Sequence, residues 1–455
     1  MMETLDLTKY VAKLDRANLL ACRGSVVRVT GLTVESKGPP AGIGQLCEIH
    51  MADGRRAMAE VVGFNHELRV LLPLETIDGI APNDSVVPRL EPRRLTLGSA
   101  ILGRVLDGLG RPIDGLGPVA GPDSRPLDNT SPAPLSRKPI TESLAFGIRV
   151  FDGLLTCGKG QRIGIFSGSG VGKTSLMAEI ARSSEADVNV LVLVGERGRE
   201  VRHFIEESLG PEGLARSVVV VATSDAAAIQ RVKAASVALT VAEYFRDQGK
   251  NVLFMMDSVT RLAQAQREIG LAAGEPPTTK GYCPSVFALL PRITERLGSA
   301  ATGSITGIIT ILVEGDDMND PVADCMRSLL DGHVVLARRL AELGHYPAVD
   351  ILQSVSRLMI AVASKEHLAA AQRLRAIYAT YQGAEDLINI GAFAAGSNRR
   401  IDTAVLLIDR VTEFLIQPLG ARTPLEETVS RLIEITKTWS FLMPQEDAAE
   451  GALPP

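Results

Sequence analysis

This sequence of 455 residues has no excess of basic charge: 48 Lys and Arg stand against 53 Asp and Glu, a net −5. No global positive field therefore recruits nucleic acid or anionic lipid, and any such contact has to be local. Aromatics are also scarce, at 4% with one Trp. Through residue 97 they are Tyr10 and Phe64 alone, among 12 basic and 12 acidic residues. That supplies neither the basic groove nor the stacking platform that single-stranded nucleic acid requires. Cysteine is limited to Cys22, Cys47, Cys157, Cys283 and Cys325. An odd, scattered set without C-x-x-C spacing argues against a disulfide framework or a zinc site and suits a reducing cytoplasm. The six histidines (His50, His66, His203, His333, His345, His367) show no H-x-x-x-H spacing and imply no metal. Long apolar runs are missing too: the longest aliphatic stretches, at 190–194 and 308–313, fall far short of the ~20 residues a membrane helix needs. Glu3, Asp6, Lys9, Lys13, Asp15 and Arg16 break up the region where a signal peptide needs an apolar core. The expectation is a cytoplasmic protein whose only membrane contact is peripheral.

What is abundant is glycine, 42 residues, in a composition 45% hydrophobic and 22% charged, as in α/β enzymes with tight turns. At ~150 residues per domain the length suggests about three domains. From 24 to about 97, short β-rich runs (26–29, 46–49, 58–64, 68–72) separated by turn residues suggest a small barrel or sandwich. Before them Leu5, Tyr10, Val11, Leu14 and Leu19 outline a short helix that reads as a packing or frayed terminus. The stretch 102–115, dense in Gly-Arg-Pro and Asp-Gly turns, and the proline-rich segment to Pro139 read as a stiffened linker. From about 140 to 345, continuous aliphatic runs (162–166, 188–194, 218–221, 252–256, 305–313) alternate with helical stretches, the pattern of a mostly parallel sheet covered on both faces. After Pro347 the chain turns helical, most clearly at 364–381 and 400–416.

The strongest chemical signal is Ser167-Gly-Ser-Gly-Val-Gly-Lys-Thr174, placed after an apolar run and before a helical stretch, the strand–loop–helix context of a phosphate-binding loop. Backbone N–H groups over Gly168, Ser169, Gly170, Val171 and Gly172 can converge on phosphates, Lys173 can neutralise β/γ oxygens, and Thr174 can place its hydroxyl on Mg²⁺. The first position of the motif is Ser167 instead of glycine, and a small residue suffices there. A second apolar run, 251–256, ends in Asp257. Carboxyl ends of parallel strands border the nucleotide crevice, so Asp257, which alone would read as an N-cap, becomes a candidate for the Mg²⁺ shell. Glu196 follows the run 188–194 and would overhang a γ-phosphate as a base that activates water, although position alone leaves it level with an ordinary solvated loop residue.

Taken together, these motifs resemble the rotary-type hexameric ATPases, and within them the type III protein-export ATPases, flagellar export ATPases most of all. The resemblance rests on an ordered series: 102–114, Gly153-Leu-Leu-Thr156, Gly160-Gln-Arg162, the phosphate loop, Gly195-Glu-Arg-Gly-Arg-Glu200, Ala222-Thr-Ser-Asp225, 242–249, Asp257-Ser258 with Thr260-Arg261, Ala265-Gln-Arg-Glu268, Gly274-Glu-Pro-Pro277, Pro284-Ser-Val-Phe287 and 352–357. It implies that Glu196 is the catalytic carboxylate, with Arg197 beside it, and that Asp257 belongs to the Mg²⁺ shell. It also implies that Tyr346 packs on adenine and that Arg357 reaches into a neighbouring subunit's site. Without it Arg357 would read as a surface arginine and Tyr346 as core. One chain carrying both halves of the site implies a homohexameric ring. The implied architecture is α/β: a small N-terminal β-barrel (1–97) for oligomerisation and partner binding, a central phosphate-loop domain with a mostly parallel sheet (98–345), and a C-terminal helical domain (346–455) facing substrates and chaperones. The implied activity is Mg²⁺-dependent ATP hydrolysis that energises protein export at the inner membrane, with regulator, stalk and gate proteins of the export apparatus as partners and no nucleic acid.

Thr278-Thr-Lys280 with Gly281-Tyr282 favours the flagellar over the virulence-type members, while Cys283 replaces a proline frequent in the family. A catalytic subunit of an ATP synthase is disfavoured by the stretch 274–287 and by both site halves lying in one chain. A hexameric RNA helicase is disfavoured by the poor nucleic-acid platform before residue 97, and a non-catalytic ATP-binding scaffold by the coexistence of Lys173, Glu196, Asp257 and Arg357. Asp316, Asp317 and Asp320 form an acidic loop, a solvated turn or, as the resemblance implies, a contact for a stalk protein.

Overall fold

The computed structural model describes residues 22–75, 78–89, 93–313, 315 and 317–442. The expected helix over 5–19, and Asp316 of the acidic loop, lie outside the described residues. The chain divides into two units, the first containing residues to Arg93 together with Ile269–Glu275, the second Arg94–Glu268 and everything from Pro276 onward.

The first unit is a closed barrel of β1 (Gly24–Thr30), β2 (Thr33–Lys37), β3 (Leu46–His50), β4 (Arg56–Asn65), β5 (Leu68–Pro73) and β6 (Ser85–Pro88), in the order β1-β2-β5-β4-β3-β6. Alternation builds it: Ala57, Ala59 and Val61 of β4 point inward with Val34, Cys47, Ile49, Leu71 and Val86, and these small and β-branched side chains suit a narrow interior. Strand β2 was not legible as a run because Thr-Val-Glu-Ser-Lys carries a charge in its middle. That charge is buried and paired: Arg28 Nε donates to Glu35 Oε2 at 3.0 Å and Asn65 Nδ2 to Oε1 at 3.0 Å. These two donors hold the Glu35 carboxyl below its usual range.

The second unit is built on β7 (Arg94–Leu97), β8 (Val105–Asp107), β9 (Asp123–Pro126), β10 (Ser143–Leu144), β11 (Cys157–Gly158), β12 (Arg162–Ser167), β13 (Val188–Val194), β14 (Ser217–Ala222), β15 (Asn251–Asp257), β16 (Gly298–Ser299), β17 (Ser304–Leu312), β18 (Gly332–Leu336) and β19 (Val349–Ser356). Its main sheet runs β19-β18-β12-β17-β15-β13-β14-β8, with β16 paired to β17. All pairs from β18 to β8 are parallel, and β19 closes one edge antiparallel to β18. The continuous burial of β13 follows from having helices on both faces: Val190, Val192 and Val194 enter one core with helix Ala228–Asp247, Leu191 and Leu193 the other. That second core also takes helix Lys173–Ser183 and the C-terminal helices Lys365–Asn389, Arg399–Leu415 and Leu425–Leu442, which present Leu374 and Ile377, Leu407 and Val411, and Leu432, Ile435 and Trp439 at helical spacing. Ser364 and Asn398 cap the first two of these helices through their side-chain oxygens.

The segment 102–139 is not a linker. Strand β8 ends the main sheet, β7 pairs with β9, and Arg104 grips Asp114 through Nε (2.7 Å) and Nη2 (2.9 Å), so the Gly-rich turns between them are folded onto the sheet. Further on, Asn129 Nδ2 donates to Glu243 Oε2 at 2.7 Å, and Arg296 reaches the same carboxylate with Nε (2.7 Å) and Nη2 (3.0 Å) while its Nη1 donates to Leu127 O. Local composition read as turn and proline because these side-chain anchors lie more than a hundred residues away. Strand β19 likewise carries the sheet past residue 345, before the helices begin.

The Glu243–Arg296 pair is 3% and 7% exposed. Removing one partner leaves a desolvated charge behind, so Arg296→Met is expected to lower unfolding stability by about 3–5 kcal/mol. Denaturant midpoints check this, and an unchanged midpoint would show that Arg296 does not compensate Glu243.

Candidate active site

Strand β12 stops at Ser167, and residues 168–172 curl into the start of helix Lys173–Ser183. Gly172 sits at φ +88°, and a Cβ there would come within 3.3 Å of the Tyr346 ring, so both backbone conformation and space call for glycine. Ser167 tolerates its place because it is the last residue of the strand, 2% exposed, although its Oγ finds no hydrogen-bond partner among the described residues.

The loop opens onto a cleft of about 600 Å³ whose lining includes Gly168, Ser169, Gly170, Gly172, Lys173, Thr174, Glu196, Arg197, Glu200, Ser224 and Arg261. Lys173 Nζ contacts Asp257 Oδ1 at 2.5 Å across the end of β17, and the same oxygen accepts from Thr310 Oγ1 at 2.8 Å. Asp257 is 3% exposed, so its charge is tolerable only with such partners. Thr174 and Asp257 also line one adjoining cavity, of about 480 Å³, with Glu196. A hydroxyl and a carboxylate are the oxygen donors a Mg²⁺ ion takes from protein when waters and phosphates complete its shell.

Glu196 follows Gly195, whose φ of +73° turns the chain out of β13 and against the Arg261 side chain, 3.0 Å from where a Cβ would stand. The Glu196 carbonyl accepts from Ser224 N at 3.0 Å, tying this turn to the end of β14. Burial, then the negative charge of Asp257, pushes the Glu196 carboxyl up to about 7 against the pull of Lys173, and a hydrogen bond with Glu200 adds to the rise. A carboxyl poised near neutrality suits a group that takes a proton from water. Arg197 is exposed on the cleft wall, 3.5 Å from Glu200.

Tyr346 lies beside the cleft in a largely apolar pocket of about 490 Å³ that also holds Val171, Gly172, Leu176, Leu336, Pro347, Pro418 and Leu419. The far wall, residues 416–420, comes from the C-terminal region and is firmly tied. Gln417 N donates to Tyr346 O at 2.9 Å, Gln417 Nε2 to Gly147 O at 2.9 Å, and Arg149 N to Gln417 Oε1 at 2.8 Å, while Gly420 N donates to Glu179 Oε2 at 3.0 Å. Sequence reasoning missed this wall, Glu200 and Arg261 as cleft residues, and Thr310 as the buried partner of Asp257. The break at Pro418-Leu-Gly420 was visible, but nothing local showed that it returns to the phosphate loop.

Arg357 does not join this cleft. It follows β19 at the sheet's edge, exposed, with N donating to Asp331 O at 3.0 Å and Nη2 to Arg327 O at 3.3 Å. In the acidic loop, Asp320 caps helix Pro321–Leu329 and Asp317 pairs with Lys280 at 2.9 Å. Among the described residues no helix is long and apolar enough to cross a membrane.

Residues 147–356 match the nucleotide-binding domain of the ATP synthase alpha/beta family, 26–89 its beta-barrel domain, and 363–434 the C-terminal domain of the type III secretion ATPase EscN. The chain is 53% identical over 415 residues to the flagellum-specific ATP synthase of Bacillus subtilis, 91% of this chain and 95% of that one. It matches the structure of the assembled ATPase EscN from the enteropathogenic E. coli type III secretion system with a TM-score of 0.86 at 43% identity, over 91% of this chain and 100% of that one. For the same ATPase in complex with its central stalk EscO the TM-score is 0.84 at 42% identity, with the same coverage.

Glu196 carries a sign that can be measured without substrate. The folded chain holds its proton up to about pH 7, whereas a carboxyl with the ordinary value of 4.5 releases it earlier. Its contribution to stability is therefore complete below about 4.5 and lost as pH rises through 7. Glu196→Gln, which cannot ionise, should melt above the parent chain at pH 8, with the difference shrinking toward pH 5. A difference independent of pH would return Glu196 to the ordinary carboxyl range.

Proposed function

The chain belongs to the type III export branch of the ATP synthase alpha/beta family and is an ATP hydrolase, and from that premise we propose that it hydrolyses Mg²⁺-ATP as a homohexameric ring that energises flagellar protein export. The observation that carries the reading is the convergence of the phosphate loop, Lys173, Thr174, Glu196 and Asp257 on adjoining cavities at the carboxyl ends of the parallel strands β12, β15 and β13.

On this reading the adenine lies against Tyr346 in the apolar pocket, opposite the wall of Pro418 and Leu419. Backbone N–H groups of 168–172 cradle the phosphates, and Lys173 moves from Asp257 to the β/γ oxygens. Thr174 and Asp257 would hold Mg²⁺, which would neutralise phosphate charge when bound. Glu196 orients the attacking water and accepts its proton as the oxygen bonds to the γ-phosphorus and the bond to ADP breaks. Arg357, outside its own chain's cleft, completes on this reading the cleft of a neighbouring copy, where a trans arginine is worth ~10³–10⁵ in rate. The ring is supported by the assembled state of EscN, and a stalk partner by its complex with EscO. Regulator and gate proteins of the export apparatus, export substrates and their chaperones are the further partners of this reading, at the cytoplasmic face of the inner membrane.

Identity to the flagellum-specific relative of Bacillus subtilis, 53% against 48% for the type 3 secretion system ATPase of Xanthomonas euvesicatoria, favours the flagellar setting. The C-terminal match to EscN supports a virulence-type secretion system as the second reading. Affinity capture from native cells separates them: flagellar export proteins are expected to co-purify, and needle-complex proteins in their place would overturn the flagellar assignment. For the chemistry, Glu196→Gln should keep nucleotide binding, followed with a fluorescent ADP analogue, and lose about 10²–10⁴-fold in turnover. Turnover near the parent level would remove Glu196 as the base.

A further inference from the structure

Strand β17 reads Ser-Ile-Thr-Gly-Ile-Ile-Thr-Ile-Leu and is buried along nearly its whole length. Thr310 is fully buried, at 0% exposure, between Ile309 and Ile311. A valine would fill that position equally well for packing and strand propensity, so the buried hydroxyl has to be accounted for by what it bonds. Its oxygen lies 2.8 Å from Asp257 Oδ1 and 3.1 Å from Met256 O. It has one proton to give, and the nearer acceptor is also the charged one.

The sheet order explains why this matters. Strand β17 lies between β12, which delivers the phosphate loop, and β15, which delivers Asp257. Lys173 and Thr310 converge on the same carboxylate oxygen, one from a side chain that phosphate would draw away and one from a residue fixed in the sheet. We propose that Thr310 is a positioning residue for Asp257: its hydroxyl keeps the carboxylate aimed at the metal position when Lys173 turns to the nucleotide. The proposal rests on the reading of Asp257 as part of the Mg²⁺ shell.

The test measures binding of a fluorescent ADP analogue as Mg²⁺ is titrated, and again in EDTA, with no turnover involved. Thr310→Val should raise the Mg²⁺ concentration for half-maximal binding about tenfold, the effect of losing one hydrogen bond to a charged group. Binding in EDTA should stay within about twofold, and Thr310→Ser, which keeps the hydroxyl, should restore the parent Mg²⁺ dependence. If the valine variant does not fold, Thr310→Ala against Thr310→Ser isolates the same hydroxyl. An unshifted Mg²⁺ dependence, an equal loss in EDTA, or a serine variant no better than alanine would each overturn the proposal. Asp257→Asn separates the two levels of the argument. A Mg²⁺ shift there without one in Thr310→Val refutes the role of Thr310 and leaves Asp257 standing, whereas no shift in Asp257→Asn removes the Asp257 reading itself.

Discussion

A carboxylate 3% exposed at the end of a central strand is costly unless cations and donors reach it, and the contact between Lys173 and Asp257 meets that constraint while defining the site. Because β17 separates β12 from β15, the lysine must cross one strand end to reach the aspartate, and the crossing fixes where the phosphate loop lies above the sheet. The same charge acts on Glu196, whose carboxyl is pushed toward neutrality partly by Asp257. Moving Lys173 onto phosphate would therefore alter the field at Glu196 as well as at Asp257, and on the proposed assignment of these residues substrate binding and activation of water share one set of charges.

Around that centre the nucleotide site is assembled from distant parts of the chain. The apolar pocket beside Tyr346, proposed to take adenine, has one wall from the phosphate loop and Tyr346 and another from the C-terminal stretch fastened through Gln417 and Glu179. The C-terminal helices and helix Lys173–Ser183, which begins at the phosphate loop, contribute side chains to one shared core.

The chemistry was legible in the sequence where it was local. The loop 167–174 and the strand-ending Asp257 became candidates through strand–loop–helix context, and Glu196 through the family resemblance carried by Gly-Glu-Arg. The parallel sheet was legible because its strands are unbroken aliphatic runs. Strand β2 was not, since Glu35 interrupts it and its compensating partners, Arg28 and Asn65, come from other strands. The segment 102–139 was misread as a linker because its anchors, Glu243 and Arg296, lie far away in sequence. Thr310 and Gln417 escaped for the same reason: a threonine in a strand and a glutamine before Pro418 carry no local mark of what they bond.

The central claim is that each cleft is chemically complete only with Arg357 from another copy. Mixed assemblies of two inactive variants test it directly. Subunits carrying Glu196→Gln retain the arginine, and subunits carrying Arg357→Ala retain the base, so a ring containing both has some clefts with both groups intact. Steady-state ATP hydrolysis should therefore be low for each variant alone and should rise, up to about a quarter of the parent rate for random equimolar mixing, when the two are co-assembled. Activity that stays at the level of the separate variants despite verified co-assembly, or an Arg357→Ala chain that turns over like the parent, would contradict the account.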